Sequence, residues 1–547
     1  MEDYENEIPV RERLSVDESL TGDGVTVALV EFGFGYHPDL ESDDSRTVTY
    51  IDPLGQFEAN DDELIFGKQH QHGIGSASIA GGNGKASDGL HKGIAPHADM
   101  FLIKAHMIDD EGKPKYGAEH VNRALSWAVE HQDEYDIRVI DPGIALATGD
   151  ALDMGRGMLP WVMSPAKQRV EWAVSRGILF ICPVGNGSGA CAPHMLAAPS
   201  ALFVGGVDIS ANPDDTGKVP ITPYPCFGGM IFGGRKVPDI AAPAVDMVQA
   251  QGSQKSGPEI RKDTFGYKKG GGTSWAGPFV TGVIAQMLEV NPNLGPQDVI
   301  GILRETAHPV AGIAEDLQGA GVIQPAEATK RARSAKGSPG YSKMSFEDWQ
   351  KLTFGMPDDA MAWLGCRDES VKLDGALAAC HHGPALNGRT VGGRFKLLIN
   401  DPSPWVRSAI ICTIGQQDPE QWDAALVEPA LEDKSPHVRC AALWALNRRL
   451  DTNAKRYITL GLNDDHQDVR LRAAEDAVHR AERPLLPVLI NAMQAERGIL
   501  QFDSLRRAAE KITAEKLAPD DRKTFDNTEE IMAYNRDVAK LWAGYAA

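Results

Sequence analysis

The residues best equipped to do chemistry lie in GGTSWAGP, Gly271 to Pro278, where Ser274 stands at the expected start of a helix among residues too small to shield it. A serine hydroxyl is a weak nucleophile at neutral pH, so a nucleophilic role requires a base, a group that orients the base, and donors for an oxyanion. All three are available upstream. VALVEFG (Val27 to Gly33) is a buried-strand pattern ending in the carboxylate Glu31, QHGIGSASIAGG (Gln71 to Gly82) puts His72 at the entry of a small-residue helix, and GNGSG (Gly185 to Gly189) places Asn186 after another apolar strand. Taken singly, a Gly-Thr-Ser turn is an ordinary helix cap, a histidine an ordinary polar core residue and Gly-Asn-Gly an ordinary turn. Their occurrence together argues for a site.

The elements that must hold these residues are legible between about Gly24 and Glu289, where short apolar runs alternate with helix-like stretches. VTVALV, DMFLIKA, IRVIDPGIA, GILFICPVG and ALFVGGVD are brief, rich in Val, Ile, Leu or Phe, and bounded by Gly, Pro or Asp. Runs without polar alternation belong to parallel strands buried on both sides, so the expected class is α/β, a mainly parallel sheet with helices on both faces. Gly277, Gly282 and Ala285 keep the helix of Ser274 slim enough to pass through the domain, and Pro278 is expected in its first turn.

Beyond the polar stretch RARSAKGSPGYSK the chain changes character: DPSPWVRSAI, DKSPHVRCAA and DDHQDVRLRAA recur, with Ala409, Ala441 and Ala473 spaced 32 apart, and a weaker copy follows at Leu505. This period resembles HEAT-like helical repeats, whose stacked helix pairs share a core. Arg407, Arg439 and Arg470, with Asp401, Asp433 and Asp464 ahead of them, are expected to be structural partners between repeats. The expected division is an N-terminal extension (1–22), an α/β domain (23–335), a linker (336–345) and an all-α repeat domain (346–547).

The order acid, His, Asn, Ser resembles that of the subtilisin-like serine proteases (subtilases), and GTSWAGPFVTGV is similar to their serine signature. HPDL, KGIAPHADMFLIKA and VPDIAAPAVDM are similar to further segments of the family in the same order, so the resemblance runs from Gly24 to Ala307. It implies a subtilisin-like fold in which His72 is the general base, Glu31 orients it, Ser274 is the nucleophile and Asn186 lines the oxyanion hole. It also implies that Gly143, Ile144 and Ala145 pair with extended substrate, with Pro183, Val184 and Gly185 on the opposite wall. No cofactor is required, and calcium is a candidate only at Asp39, which matches a ligand position of some members. The sequence departs from the family in three places. Glu31 replaces the usual Asp, Gly-Ile-Gly follows His72 where Gly-Thr-His is usual, and Gly143-Ile144-Ala145 replaces Ser-Leu-Gly.

At 547 residues the chain has room for two or three cores, and a net charge of −21 with no basic run argues against nucleic acid as a partner. No apolar run is long enough to span a bilayer, and MEDYENEIPVRERL carries no secretory leader. Seven cysteines without metal-ligand spacing suit free thiols, and Cys380-His381-His382 is expected to be ordinary loop. These readings converge on a cytoplasmic endopeptidase acting on a protein or peptide through an acyl-enzyme, with the repeats engaging substrate or a regulator. About twenty residues precede the first strand, too few for a folded propeptide, so its activity is expected to be controlled by other means. Alternatives are a pseudoprotease scaffold, a peptide ligase or macrocyclase using the same acyl-enzyme, and a chain whose repeats carry the role while the protease cleaves only itself.

Overall fold

The apolar runs become one parallel sheet in the computed structural model. Its parallel strands are β1 (Thr26–Glu31), β2 (Val48–Ile51), β3 (Asp99–Lys104), β4 (Ile137–Pro142), β5 (Leu179–Pro183), β6 (Leu202–Asp208) and β7 (Ile240–Pro243), arranged β7-β6-β5-β4-β1-β3-β2, and the short strand Thr222–Pro223 pairs antiparallel with β6. The structure describes residues 9–68, 70–143, 158–186, 197–209, 221–224, 226–338, 343–386, 393–449, 453–496, 499–517 and 528–546. Successive side chains of β1 enter different cores: Val27 and Leu29 pack on one face of the sheet, Ala28 and Val30 on the other. That is why the strand shows no polar alternation, and why Glu31 shares a face with Leu29.

On the Leu29 face lie α1 (Gln71–Gly81) and, later in the chain, the helix that carries Ser274. On the other face lie α2 (Ala118–Glu130) and α3 (Pro165–Ser175). The start of α3 is set locally, with Ser164 accepting a hydrogen bond from the Lys167 amide and Pro165 occupying the first helical position. The serine helix, α4, runs Thr273–Val290 and is buried almost throughout. Because it begins at Thr273, Pro278 is its sixth residue and lies inside the helix, not in the first turn as its sequence suggested. A proline there removes the amide that would pair with the Ser274 carbonyl, yet packing carries the helix on to Val290.

The described part of the N-terminal segment is built into this core: Arg11 donates to the carbonyls of Gly93 and Ile94, and Gln286 of α4 donates to that of Leu20.

The repeats form α5 (Pro404–Gly415), α6 (Pro436–Arg448), α7 (Gln467–Arg480) and α8 (Ile499–Thr513). Ala409, Ala441 and Ala473 are fully buried where successive helices meet. Each repeat arginine reaches the acid that opens the next repeat: Arg407 pairs with Asp433 (2.8 and 2.9 Å), Arg439 with Asp464 (2.7 Å) and Arg470 with Glu496 (3.1 Å). The same guanidinium groups donate to the carbonyls of Asp401, Asp433 and Asp464, so the motif is a clasp between repeats. Cys380, His381 and His382 close the helix Glu369–His382 and are not loop. The apolar pattern GALAAC buries that helix, and His381 stacks on Phe354.

One apolar core continues from the α2–α3 face of the sheet into the repeats. Trp172 of α3 donates to the Met344 carbonyl (3.0 Å), His437 of α6 donates to the Met158 carbonyl (3.0 Å), and Trp405 of α5 meets Phe232 edge to face.

Candidate active site

Glu31 ends β1 and is 2% exposed, and its Oε1 lies 2.9 Å from His72 Nδ1 in the first turn of α1. The same oxygen accepts a hydrogen bond from Ser76 Oγ (2.7 Å), one turn further along α1. Ser76 was not singled out in the sequence, although its i+4 spacing from His72 places both on one helix face. The longer acid side chain is accommodated by Gly143, where a Cβ would fall 1.8 Å from Glu31 Oε1. A glycine at that position supplies the room that the extra methylene needs. Gly75, in the altered Gly-Ile-Gly, has a similar role: a Cβ there would meet the Gln249 side chain at 1.6 Å and the Trp275 ring at 2.9 Å. Burial pulls the pKa of His72 down, but the charge and hydrogen bond of Glu31 outweigh it and hold it above the ordinary value of 6.5.

Ser274 is the second residue of α4, at the positive end of the helix where backbone N–H groups have no partner within the helix. The next residue, Trp275, lies against the His72 ring with centroids 4.9 Å apart, so serine and histidine are neighbours in space. No hydrogen bond joins Ser274 Oγ to His72 in this resting arrangement. Asn186 is oriented by Thr273: its Oδ1 accepts from the Thr273 amide (2.8 Å) and hydroxyl (3.1 Å), which leaves Nδ2 to donate beside Ser274. Thr273 Oγ1 in turn accepts from the Gly185 amide (3.1 Å), and Gly272 lets the Asn186 amide approach to 3.0 Å of where a Cβ would be. If that amide receives an oxyanion, Asn186→Ala lowers kcat for peptide hydrolysis by about 10²–10³ with KM little changed, as steady-state kinetics would read.

Of the residues expected along the substrate, Gly143 directly follows β4 beside Glu31, Pro183 ends β5 beside Gly277, and Gly185 is half-buried next to Asn186. Val184 is wholly buried in the core on the far side of the sheet, so its side chain forms no open wall. Ile144 and Ala145 lie outside the described residues.

A model of the subtilase family matches residues 22–332, more than half of the chain. The chain belongs to the subtilase family. A HEAT-repeat model matches residues 393–479. The chain is 27% identical over 317 residues to serine protease AprX of Bacillus subtilis, covering 56% of this chain and 66% of that protein. It is 24% identical over 426 residues to fervidolysin of Fervidobacterium pennivorans, covering 74% of this chain and 55% of that one. The solved structure of the prenylagaramide maturation protease PagA superposes with a TM-score of 0.40 at 21% identity, over 57% of this chain and 94% of PagA. The chain thus spans between half and two thirds of the length of the two relatives.

This subtilase carries a second buried carboxyl near its triad-like residues that sequence reading missed. Asp141 of β4 is 1% exposed and lies opposite Leu29 in the sheet, so it faces the serine helix together with Glu31. Its Oδ2 accepts from Thr281 of α4 (2.7 Å), while Oδ1 has no hydrogen-bond partner. Burial, reinforced by the nearby charge of Glu31, pushes its pKa from 3.8 up to about 7. A carboxyl raised in the folded state binds a proton that the unfolded chain has released, so stability is full below pH 4, falls between pH 4 and 7, and levels off above. Asp141→Asn removes this slope: the variant is expected to exceed the native protein by up to about 4 kcal/mol at pH 8 and to match it near pH 4, read by urea denaturation across pH.

Asp39 does not fit a calcium role. Its buried carboxylate accepts from the Ala86 amide (2.9 Å) and the Tyr267 hydroxyl (2.7 Å), and His37, its other neighbour, is no calcium ligand. Among the described residues no group of three or more His, Cys, Asp or Glu is arranged to hold a metal.

Proposed function

We propose that this chain is a serine endopeptidase that cleaves a protein or peptide through an acyl-enzyme, with Glu31, His72 and Ser274 as its triad. The observation that carries the reading is the 2.9 Å contact of Glu31 Oε1 with His72 Nδ1, beside a helix that presents Ser274 at its start. Held by Glu31, the ring keeps its proton on Nδ1 and turns a basic Nε2 toward Ser274. Ser274 Oγ attacks the scissile carbonyl as His72 takes its proton, and the oxyanion is received by Asn186 Nδ2 and the Ser274 amide. His72 then protonates the leaving amine, water enters, and the same steps in reverse release the acid. An amine in place of water would give ligation by the same chemistry.

The repeats, which belong to a family of stacked helical surfaces, supply a docking site for substrate or regulator. The protease unit ends near residue 335 and the repeats begin near 346. A cytoplasmic setting agrees with the cysteines: Cys182, Cys226, Cys366, Cys380, Cys412 and Cys440 are all unpaired, and no described helix is long and apolar enough to cross a membrane. Labelling of the full chain by a fluorophosphonate tests the reading. Labelling lost in Ser274→Ala supports the enzyme, and a native chain that stays unlabelled and cleaves no peptide is a scaffold.

A further inference from the structure

The hydrogen bond between His72 Nδ1 and Glu31 fixes one atom of the imidazole and leaves the plane of the ring free to tilt about that contact. A second restraint comes from Trp275. Its indole lies against the His72 ring with centroids 4.9 Å apart and planes inclined by 32°, closer to an offset stack than to an edge contact. The His72 side chain is 43% exposed and Trp275 only 7%, so the indole is a buried backing for a ring that still reaches solvent.

The indole is itself held in place by what surrounds it. Gly75 of α1 and Gly270, at the end of the strand Gly266–Gly270, flank it: a Cβ on Gly75 would fall 2.9 Å from Trp275 Cη2, and one on Gly270 would fall 2.8 Å from Nε1 and 3.0 Å from Cε2. The same two glycines make room for the Gln249 side chain, which those Cβ atoms would meet at 1.6 and 2.0 Å. A larger residue at either position would displace the indole or Gln249. Trp275 also follows Ser274 directly, and its amide donates to the Gly272 carbonyl (3.0 Å), so one turn at the start of α4 carries both the nucleophile and the backing of the base.

We infer that Trp275 is a positioning residue, which holds the plane of the His72 imidazole against Glu31 and stabilises the imidazolium that forms when His72 takes the Ser274 proton. The face of an indole is electron-rich and attracts a cation lying within about 6 Å of its centroid. This attraction grows as the ring becomes charged, so it favours the state through which proton transfer passes over the resting one. The charged groups that act on His72 from the elements around it are Glu31 of β1, Asp141 of β4 and Lys268 of the strand Gly266–Gly270, and replacing Trp275 alters none of them. The inference rests on the protease reading for the proton transfer and adds the indole to the groups that serve it.

The test follows the His72 ring signals of the full chain by NMR through a pH titration, assigned by their loss in His72→Gln. Trp275→Leu and Trp275→Met are expected to lower the midpoint by about 0.5–1 in pH, and Trp275→Phe, which keeps an aromatic face, by less than half as much. Methionine fills the space without a ring, so the comparison stands even where Trp275→Leu fails to fold. In peptide hydrolysis the first two variants should lose about three- to tenfold in kcat with KM within about twofold, and the midpoint of kcat/KM should move with that of the ring. A midpoint in Trp275→Leu or Trp275→Met equal to the native one, or one in Trp275→Phe as low as in those two, would overturn the role. The titration needs no turnover, so failure of the protease reading shows separately, as a native chain that the fluorophosphonate does not label.

Discussion

Ser274→Ala is expected to lower kcat for peptide hydrolysis by about 10⁶, the scale on which removing the serine disables a subtilisin-type triad, and to leave only the about 10³-fold that binding and oxyanion donors supply alone. The loss belongs to chemistry and not to folding, because Ser274 forms no hydrogen bond to His72 and removing its oxygen leaves the buried body of α4 intact. Melting temperature should therefore be unchanged, and KM for a good peptide should move little. His72→Ala should produce the same loss, and the double variant no further loss, since the two side chains act as a unit. Residual turnover above one part in about 10⁴ that still depends on His72 would assign the nucleophile elsewhere.

Glu31→Gln is expected to cost about 10⁴ in kcat while leaving the fold in place. The amide keeps the size and position of the acid, but it offers the ring a choice of tautomer and takes away the charge that stabilises the imidazolium. The pH profile separates this from a packing defect. His72 must be neutral to act as base, and Glu31 raises its pKa above 6.5, so native kcat/KM should climb through a midpoint above 6.5. With that charge gone, burial and Lys268 pull the ring down against only the weaker influence of Asp141, so the midpoint should move below that of the native enzyme. Glu31→Asp makes a second comparison. Its carboxyl is drawn back by roughly 1.5 Å, beyond hydrogen-bond reach of Nδ1 unless the backbone follows, so it should also lose activity although it restores the residue usual in the family.

The parts of the molecule that the sequence made legible are those where a short run of residues carries its own constraint. VTVALV and GILFICPVG read as buried parallel strands because no charged residue or polar alternation interrupts them, and GTSWAGP reads as a helix start because Gly-Thr-Ser precedes a run of small and apolar residues. The clasp of Arg407, Arg439 and Arg470 was legible because it recurs at a fixed period. Asp141 was not, because a carboxylate near a strand end reads as a surface group until the sheet register places it opposite Leu29. Gly143 was read as a substrate contact, and its closeness to Glu31 depends on a pairing between strands far apart in sequence.

The apolar layer shared by α3 and the repeat helices has a mechanical consequence. Trp172, Trp405 and His437 pin the array to the back of the sheet, opposite the face that bears Glu31 and His72. An array mounted in this way is a buttress and not a swinging arm. A load applied along it is borne by the contacts at Met158, Phe232 and Trp172, so whatever grips the repeats also pulls on the scaffold of the catalytic half.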